Sequence, residues 1–220
     1  MITLDERLSA VAALVRPGSR LADIGTDHAY LPVHLVQAGV CPAAIASDIG
    51  AGPLDAARHT VTMAGLTSEI ALRLGDGLST ITAEEIDDIA IAGMGGETIA
   101  AILEAVRWVK DSRLRLILQP MTRAEDLRRW LLQNGFSVIE EHLIIDGRHL
   151  YPVLAAEYTA AAPCEDDLLI YGGFFTPEEG RPYRRMMAEH LRRKASGLAH
   201  GGDTLTAQKL DRLSEQLIRL

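Results

Sequence analysis

The sequence predicts an α/β fold, a seven-stranded sheet with an antiparallel last strand, followed by a helical hairpin. Three observations carry that prediction. Between residues 19 and 135, short apolar runs alternate with segments whose apolar residues recur every three or four positions, as strands alternate with helices. Residues 136–145 and 149–158 are then two extended runs joined by Asp146-Gly147, a strong hairpin signal. Beyond Ala160-Ala161-Ala162-Pro163 the composition shifts and two helical stripes close the chain, so a boundary near residue 162 divides it into domains 1–162 and 163–220.

Thr3-Leu4-Asp5-Glu6 reads as a capping box with Thr3 at the N-cap. It opens a helix carrying Leu4, Leu8, Val11, Ala12 and Val15, ended by Pro17-Gly18. Residues 19–25 form the first strand, apolar enough to be buried on both faces, and 30–38 the helix behind it. Residues 43–48 are the second strand, 53–64 a helix stopped by Gly65, and 69–74 the third strand, ended by Gly75-Asp76-Gly77. A turn capped by Thr82 and Glu85 leads to the fourth strand, 88–92, which runs into Gly93-Met94-Gly95-Gly96. A helix over 97–109, a strand over 114–118 stopped by Gln119-Pro120, and a helix opened by the capping box Thr122-Arg123-Ala124-Glu125 complete the alternation. Trp108 and Trp130 fall on those helices and read as core.

In the second domain Thr176-Pro177-Glu178-Glu179 is a capping box with proline at the first helical position. Met187, Leu191, Ala195 and Leu198 make one apolar stripe, and Asp203 or Thr204 caps a last helix. There Leu210, Leu213, Leu217 and Leu220 form the seam of a short antiparallel coiled coil.

Composition sets bounds. The 220 residues are 48% hydrophobic and 24% charged, enough for one ordinary soluble domain with an appendage. No apolar run approaches the ~20 residues needed to span a bilayer, and Met1-Ile2-Thr3-Leu4-Asp5-Glu6 lacks the pattern of a secretory signal. Two cysteines, Cys41 and Cys164, suggest neither a disulfide framework nor a metal cluster. A cytoplasmic protein without metal or membrane is expected. The net charge of −8 excludes a globally basic nucleic-acid binder. Locally, however, Arg181, Arg184, Arg185, Arg192, Arg193 and Lys194 face only Glu189.

Three acids end three successive strands, Asp23, Asp48 and Asp76, where open α/β sheets bind ligands. Gly25 lets the chain turn tightly beside such a ligand. Asp27 occupies the position where a dinucleotide fingerprint would place its second glycine, and its charge would repel a pyrophosphate. An acidic loop suits a ligand that is cationic or carries an amino group, and S-adenosylmethionine is both. Asp48, about 20 residues beyond the first loop, stands where nucleoside-binding α/β proteins bind ribose hydroxyls.

The motifs A-D-I-G-T-D-H-A-Y-L-P at 22–32, G-D-G-L at 75–78, I-A-G-M-G-G at 91–96 and L-I-L-Q-P at 116–120, with the closing helical hairpin, resemble one family. It is the bacterial methyltransferases that modify N1 of adenine 22 in tRNA, and the likeness covers essentially the whole chain. The resemblance implies a Rossmann-like class I methyltransferase sheet using S-adenosylmethionine, with a coiled-coil domain that helps hold tRNA. It implies cofactor binding by Asp23, Gly25, Thr26, Asp27, His28, Asp48, Ile49, Asp76, Gly77, Gly93, Met94 and Gly95. Asp27 and His28 are the catalytic candidates, to contact the target adenine, orient its amino group or take a proton after transfer. Alternatively, that loop satisfies its own backbone amides. Arg7 would reach a tRNA phosphate or the cofactor carboxylate, unless it simply lies on a solvated helix face, and the basic run 181–194 would meet the tRNA backbone. A monomer is favoured. Met121 and Pro152 depart from the family, which tends to carry asparagine and an acid at those positions. The competing functions are a small-molecule methyltransferase, a non-catalytic RNA-binding protein with a retained cofactor site and, more distantly, a nicotinamide-dependent oxidoreductase.

Overall fold

The computed structural model describes residues 2–220; Met1, at the head of the expected first domain, lies outside them. The chain runs α1 (Glu6–Leu14), β1 (Leu21–Ile24), α2 (Tyr30–Gln37), β2 (Ala44–Asp48), α3 (Ala51–Ala64), β3 (Ile70–Leu74), β4 (Asp88–Gly95) and α4 (Gly96–Glu104). It continues with β5 (Arg115–Thr122), α5 (Ala124–Gln133), β6 (Phe136–Asp146), β7 (His149–Tyr158), α6 (Asp167–Gly172), α7 (Pro177–His200) and α8 (Thr204–Arg219). The seven strands form one sheet ordered β3-β2-β1-β4-β5-β7-β6. Strands β1 to β5 are parallel, and β7 inserts antiparallel between β5 and β6. The order reverses between β1 and β4, which opens a crevice at their carboxyl ends.

All four residues of β1 are buried, because helices cover both faces. Leu21 packs on one side with Val11, Leu31, Leu35 and Val61, while Ala22 and Ile24 pack on the other with Ile89, Leu116, Ile99 and Leu103. A third apolar cluster joins α7 and α8 through Met187, Leu191, Ala195, Leu210, Leu213 and Leu217, with Leu143 and Leu150 of the β-hairpin packed against it.

Several element ends differ from the sequence expectation. Asp5, not Thr3, caps α1: its Oδ1 accepts from the Leu8 amide at 2.7 Å. The helix expected over 97–109 stops at Glu104, and a 3₁₀ turn at Arg107–Val109 turns Val109 into the core. Strands β4 and β5 run on through Gly93–Gly95 and Pro120–Thr122, pairing Met94 with Pro120 across a register shift. Such an irregularity accommodates a proline, which cannot donate to the ladder. The capping box at 122–125 does not form; Arg123 caps α5 in the left-handed region, φ 57°, with no side-chain cap bond. Its carbonyl presses on Gly96, where a β-carbon would collide with it. Leu220 is 52% exposed and lies outside the coiled-coil seam. Helix α6, not expected, is capped by Asp166 through the amides of Leu168 and Leu169.

A buried ion pair fastens the helical hairpin to the sheet. Arg128 of α5 and Glu141 of β6 have no exposed side-chain surface and meet at 2.6 Å. Arg128 Nη1 also donates to the Ile170 carbonyl and the Tyr183 hydroxyl, each at 3.1 Å. Glu141 Oε2 accepts from the Phe174 amide at 2.6 Å. Burial works against the Arg128 charge, yet Glu141 and Tyr183 around it leave its pKa above the ordinary arginine value. Removing one partner of such a pair costs about 3–5 kcal/mol, because the other charge stays buried.

Candidate active site

The loop after β1 is shaped by backbone bonds to β2. The amides of Gly25 and Thr26 both donate to the Ser47 carbonyl, at 2.8 and 3.0 Å. Gly25 has φ 73°, and a β-carbon there would collide with Met94 Cε, so conformation and space both require glycine. Asp27 (φ 50°) and Ala29 (φ 56°) also take left-handed angles, which non-glycine residues adopt at a cost.

Asp23 is 6% exposed and accepts a 2.5 Å hydrogen bond from Thr26 Oγ1. Burial pushes its pKa up to about 6; the Thr26 bond opposes that rise and the nearby Asp48 adds to it. Asp48 is oriented by the Gly50 amide, which donates to Oδ1 at 2.7 Å, while its Oδ2 receives only a 3.5 Å contact from the Asp27 amide. One carboxylate oxygen is therefore largely free for a ligand.

Two cavities lie at these strand ends. A cleft of 410 Å³ is lined by Arg7, Asp23, Gly25, Thr26, Asp27, His28, Tyr30 and Gly93, among others. His28 stacks on Tyr30, ring centroids 5.1 Å apart, and its Nε2 lies 3.5 Å from Asp27 Oδ2. All three side chains stand exposed at the rim. A second cavity of 370 Å³ is lined by Asp76, Gly77, Ile102 and Val106, among others. Gly77 (φ 53°) leaves room there: a β-carbon would come within 2.9 Å of Ile102. Asp48 ends β2, between β1 and β3 in the sheet, and exposed Ile49 follows it.

Gln119, expected only to stop its strand, braces the wall of the cleft. Fully buried, it accepts from Arg7 Nη1 at 2.9 Å and from the Gly93 amide at 3.0 Å through Oε1, and its Nε2 donates to the Pro120 carbonyl at 3.0 Å. Its signal was an amide side chain at the end of an otherwise apolar strand. Arg7 consequently points into the cleft instead of out from α1. Met94 packs beneath Gly25 and against the core, and Gly95 faces Thr122, so neither lines the two cavities.

The basic run divides. Arg181, Arg185, Arg192, Arg193 and Lys194 are exposed on α7. Arg184 is not a surface contact. It is 6% exposed and donates to the carbonyls of Phe175, Pro177 and Thr176 at 2.9, 3.3 and 3.4 Å. Its guanidinium lies over Gly180, where a β-carbon would sit 2.7 Å from Arg184 Cζ. Helical spacing explains the correction, since Gly180, Tyr183, Arg184, Met187 and Ala188 share the buried face of α7. Among the described residues no group of three or more metal-ligating side chains is placed to hold an ion, and no helix is long and apolar enough to cross a membrane.

Residues 4–154 match the family model described as a methyltransferase domain. The Bacillus subtilis tRNA (adenine(22)-N(1))-methyltransferase is 35% identical, with 98% of this chain and 94% of that protein covered. The crystal structure of the B. subtilis M1A22 tRNA methyltransferase TrmK superposes with a TM-score of 0.86 at 32% identity, covering 99% of this chain and all of that one. M. capricolum TrmK, solved with S-adenosyl-homocysteine, the natural cofactor product, gives 0.81 at 26% identity, with 97% of each chain covered. A structural likeness along the whole chain, a crevice rimmed by strand-end acids and this sequence identity converge on one conclusion: the chain belongs to the bacterial tRNA (adenine(22)-N1)-methyltransferase family.

Proposed function

We infer that the protein transfers the methyl group of S-adenosylmethionine to N1 of adenine 22 in tRNA. The full-length likeness to the B. subtilis enzyme carries that conclusion, and the chemistry of the crevice agrees with it. The cofactor offers an ammonium, a carboxylate, ribose hydroxyls and an adenine, and the chain has a complement for each. Buried Asp23 suits the ammonium, Arg7 the carboxylate, the free oxygen of Asp48 the ribose, and Asp76 beside Gly77 the adenine. Bound, the cofactor supplies an electrophilic methyl group on a sulfonium.

The chain's own part is positioning. N1 of an unpaired adenine carries an in-plane lone pair near neutral pH, so no strong base is needed before attack. Orientation alone contributes up to ~7–11 kcal/mol in favourable systems. An adenine held in a helix must first be extruded, at a cost of a few kcal/mol, roughly. The exposed His28–Tyr30 stack offers the extruded base a face at the cleft rim. Methylation leaves the base cationic, and the Asp27 carboxylate at the same rim holds that charge. No proton transfer is then obligatory, and Asp27 and His28 act as base-positioning and charge-stabilising groups.

Residues 1–162 serve as the cofactor-binding domain and 163–220 as the tRNA-contacting hairpin, through Arg181, Arg185, Arg192, Arg193 and Lys194. The protein acts as a cytoplasmic monomer, where its tRNA substrate is found. The test is methyl transfer from labelled S-adenosylmethionine to unmodified tRNA, with mass spectrometry of the digested nucleosides. 1-Methyladenosine is expected with wild-type tRNA and not when adenine 22 is replaced. Cofactor binding without transfer would overturn the conclusion.

A further inference from the structure

One strand beyond the cofactor crevice lies a second, smaller cavity that the reaction described above does not use. It has a volume of 190 Å³ and sits between the end of β5, the start of β7 and the first turns of α7. Pro120, Met121, Tyr151, Pro152 and Met186 supply its apolar surface, and Arg123, Arg148 and Glu125 its charges. Met121 and Met186 are 38% and 39% exposed, more than a packing role requires. His149 stacks on Tyr151 with centroids 5.7 Å apart and planes inclined 13°, making a flat aromatic platform on one face of β7. Among the described residues Arg148 has no ion-pair partner, whereas Arg123 is held by Asp126 at 2.6 Å and Glu97 at 3.1 Å and lies 3.6 Å from Glu125, which leaves Arg148 as the free cation of the cavity.

We propose that this cavity holds one unpaired nucleobase of the tRNA, a neighbour of the target adenine, stacked on the His149–Tyr151 platform. Its polyanionic backbone would run past Arg148. The proposal rests on the tRNA methyltransferase reading. Three features select this occupant. The volume is below the roughly 300–1,000 Å³ of sites for drug-sized ligands, so a single ring system suits it better than a second cofactor. A planar aromatic platform beside an unpaired cation is how proteins take up single-stranded nucleotides, each stacked base contributing about 1–3 kcal/mol. One side chain also links the cavity to the active site: Gln119 bonds Arg7 and Gly93 on one side and contacts Met121 Sδ at 3.6 Å on the other. Met121 and Pro152 both line it, which makes the cavity suited to stacking more than to hydrogen bonding.

The test compares wild type, Tyr151→Ala and, on the exposed helix face, Met186→Asp. Wild-type formation of 1-methyladenosine at position 22 is established first, so failure of the general reading is seen separately. Each variant is expected to raise KM for tRNA roughly 5- to 150-fold, with kcat and cofactor affinity by calorimetry within about twofold. On tRNA made abasic at the nucleotide before or after adenine 22, wild type should lose the same factor at one of the two positions. The variants should lose nothing further there. Unchanged KM in both folded variants, or an equal variant penalty on intact tRNA and on both abasic tRNAs, would overturn the proposal.

Discussion

The two ends of one sheet carry the same residue type and use it in opposite ways. At the amino ends of β4 and β5, each acid holds an arginine. Asp88, with no exposed side-chain surface, meets Arg16 at 2.6 Å, Asp87 meets Arg20 at 2.9 Å, and Glu157, opposite Arg115, meets it at 2.7 Å. At the carboxyl ends, Asp23, Asp48 and Asp76 have no ion-pair partner among the described residues, and Asp23 and Asp48 are held only by a hydroxyl and backbone amides. A paired acid strengthens the fold by its own contacts. An unpaired one in a crevice weakens it, and persists where the compensating charge arrives with a ligand.

That contrast can be broken by mutation. The largest effect is expected for Asp88→Ala, which strands Arg16 and its amide and should lower unfolding free energy by about 3–5 kcal/mol in urea titration. Cofactor affinity of the folded fraction should stay the same. Asp48→Ala should behave in reverse: about 2–3 kcal/mol, or 30- to 150-fold, of cofactor affinity lost by calorimetry, with the melting temperature unchanged. If Asp48→Ala instead unfolds the protein, the distinction between the two ends fails.

Asp23→Asn sharpens the comparison. Keeping this buried carboxylate ionised at neutral pH costs on the order of 3 kcal/mol, given a pKa near 6 against an ordinary 3.8. The amide should therefore raise stability by about 1–2 kcal/mol, after the weakened Thr26 bond is counted, while cofactor affinity falls. The pH profiles should also diverge. The native state holds the Asp23 proton more tightly than the unfolded chain, so between pH 4 and 6 this group makes stability fall as pH rises. Asp87 does the opposite: the Arg20 hydrogen bond lowers its pKa to about 2, so its contribution grows from pH 2 to 4 and is full above that. Cofactor affinity should weaken below about pH 6 in wild type, as Asp23 protonates, and the Asp23→Asn variant should flatten that dependence. The smallest effect is expected at Asp87→Asn. Its pair is more than a third exposed on both sides, so the loss should be no more than about 1 kcal/mol and shrink further in high salt.

How much of this could be read in advance depended on distance along the chain. The alternating strands, the Asp146-Gly147 hairpin and the three strand-end acids are local patterns, and the structure has them where the sequence suggested. Caps were less legible, because Thr3 and Asp5 both offer an oxygen to the same turn, and only the path of the preceding chain gives the bond to Asp5. The same holds at α5, where close packing of the Arg123 carbonyl on Gly96 overrode a plausible capping box.

By itself, then, the sequence determined the fold, the acidic crevice and the kind of ligand it suits, because periodicity of two and 3.6 and the chemistry at strand ends are written in neighbouring residues. Tertiary structure alone decided that Arg184 and Arg128 are interior, that Arg7 turns into the cleft, and that Gln119 joins the active site to the cavity beyond it. Each of these depends on a partner many residues away, such as Arg7 on Gln119 and Arg128 on Tyr183. A charged side chain reads the same in sequence whether it ends in water or in a buried bond, and only the fold supplies the partner that settles which.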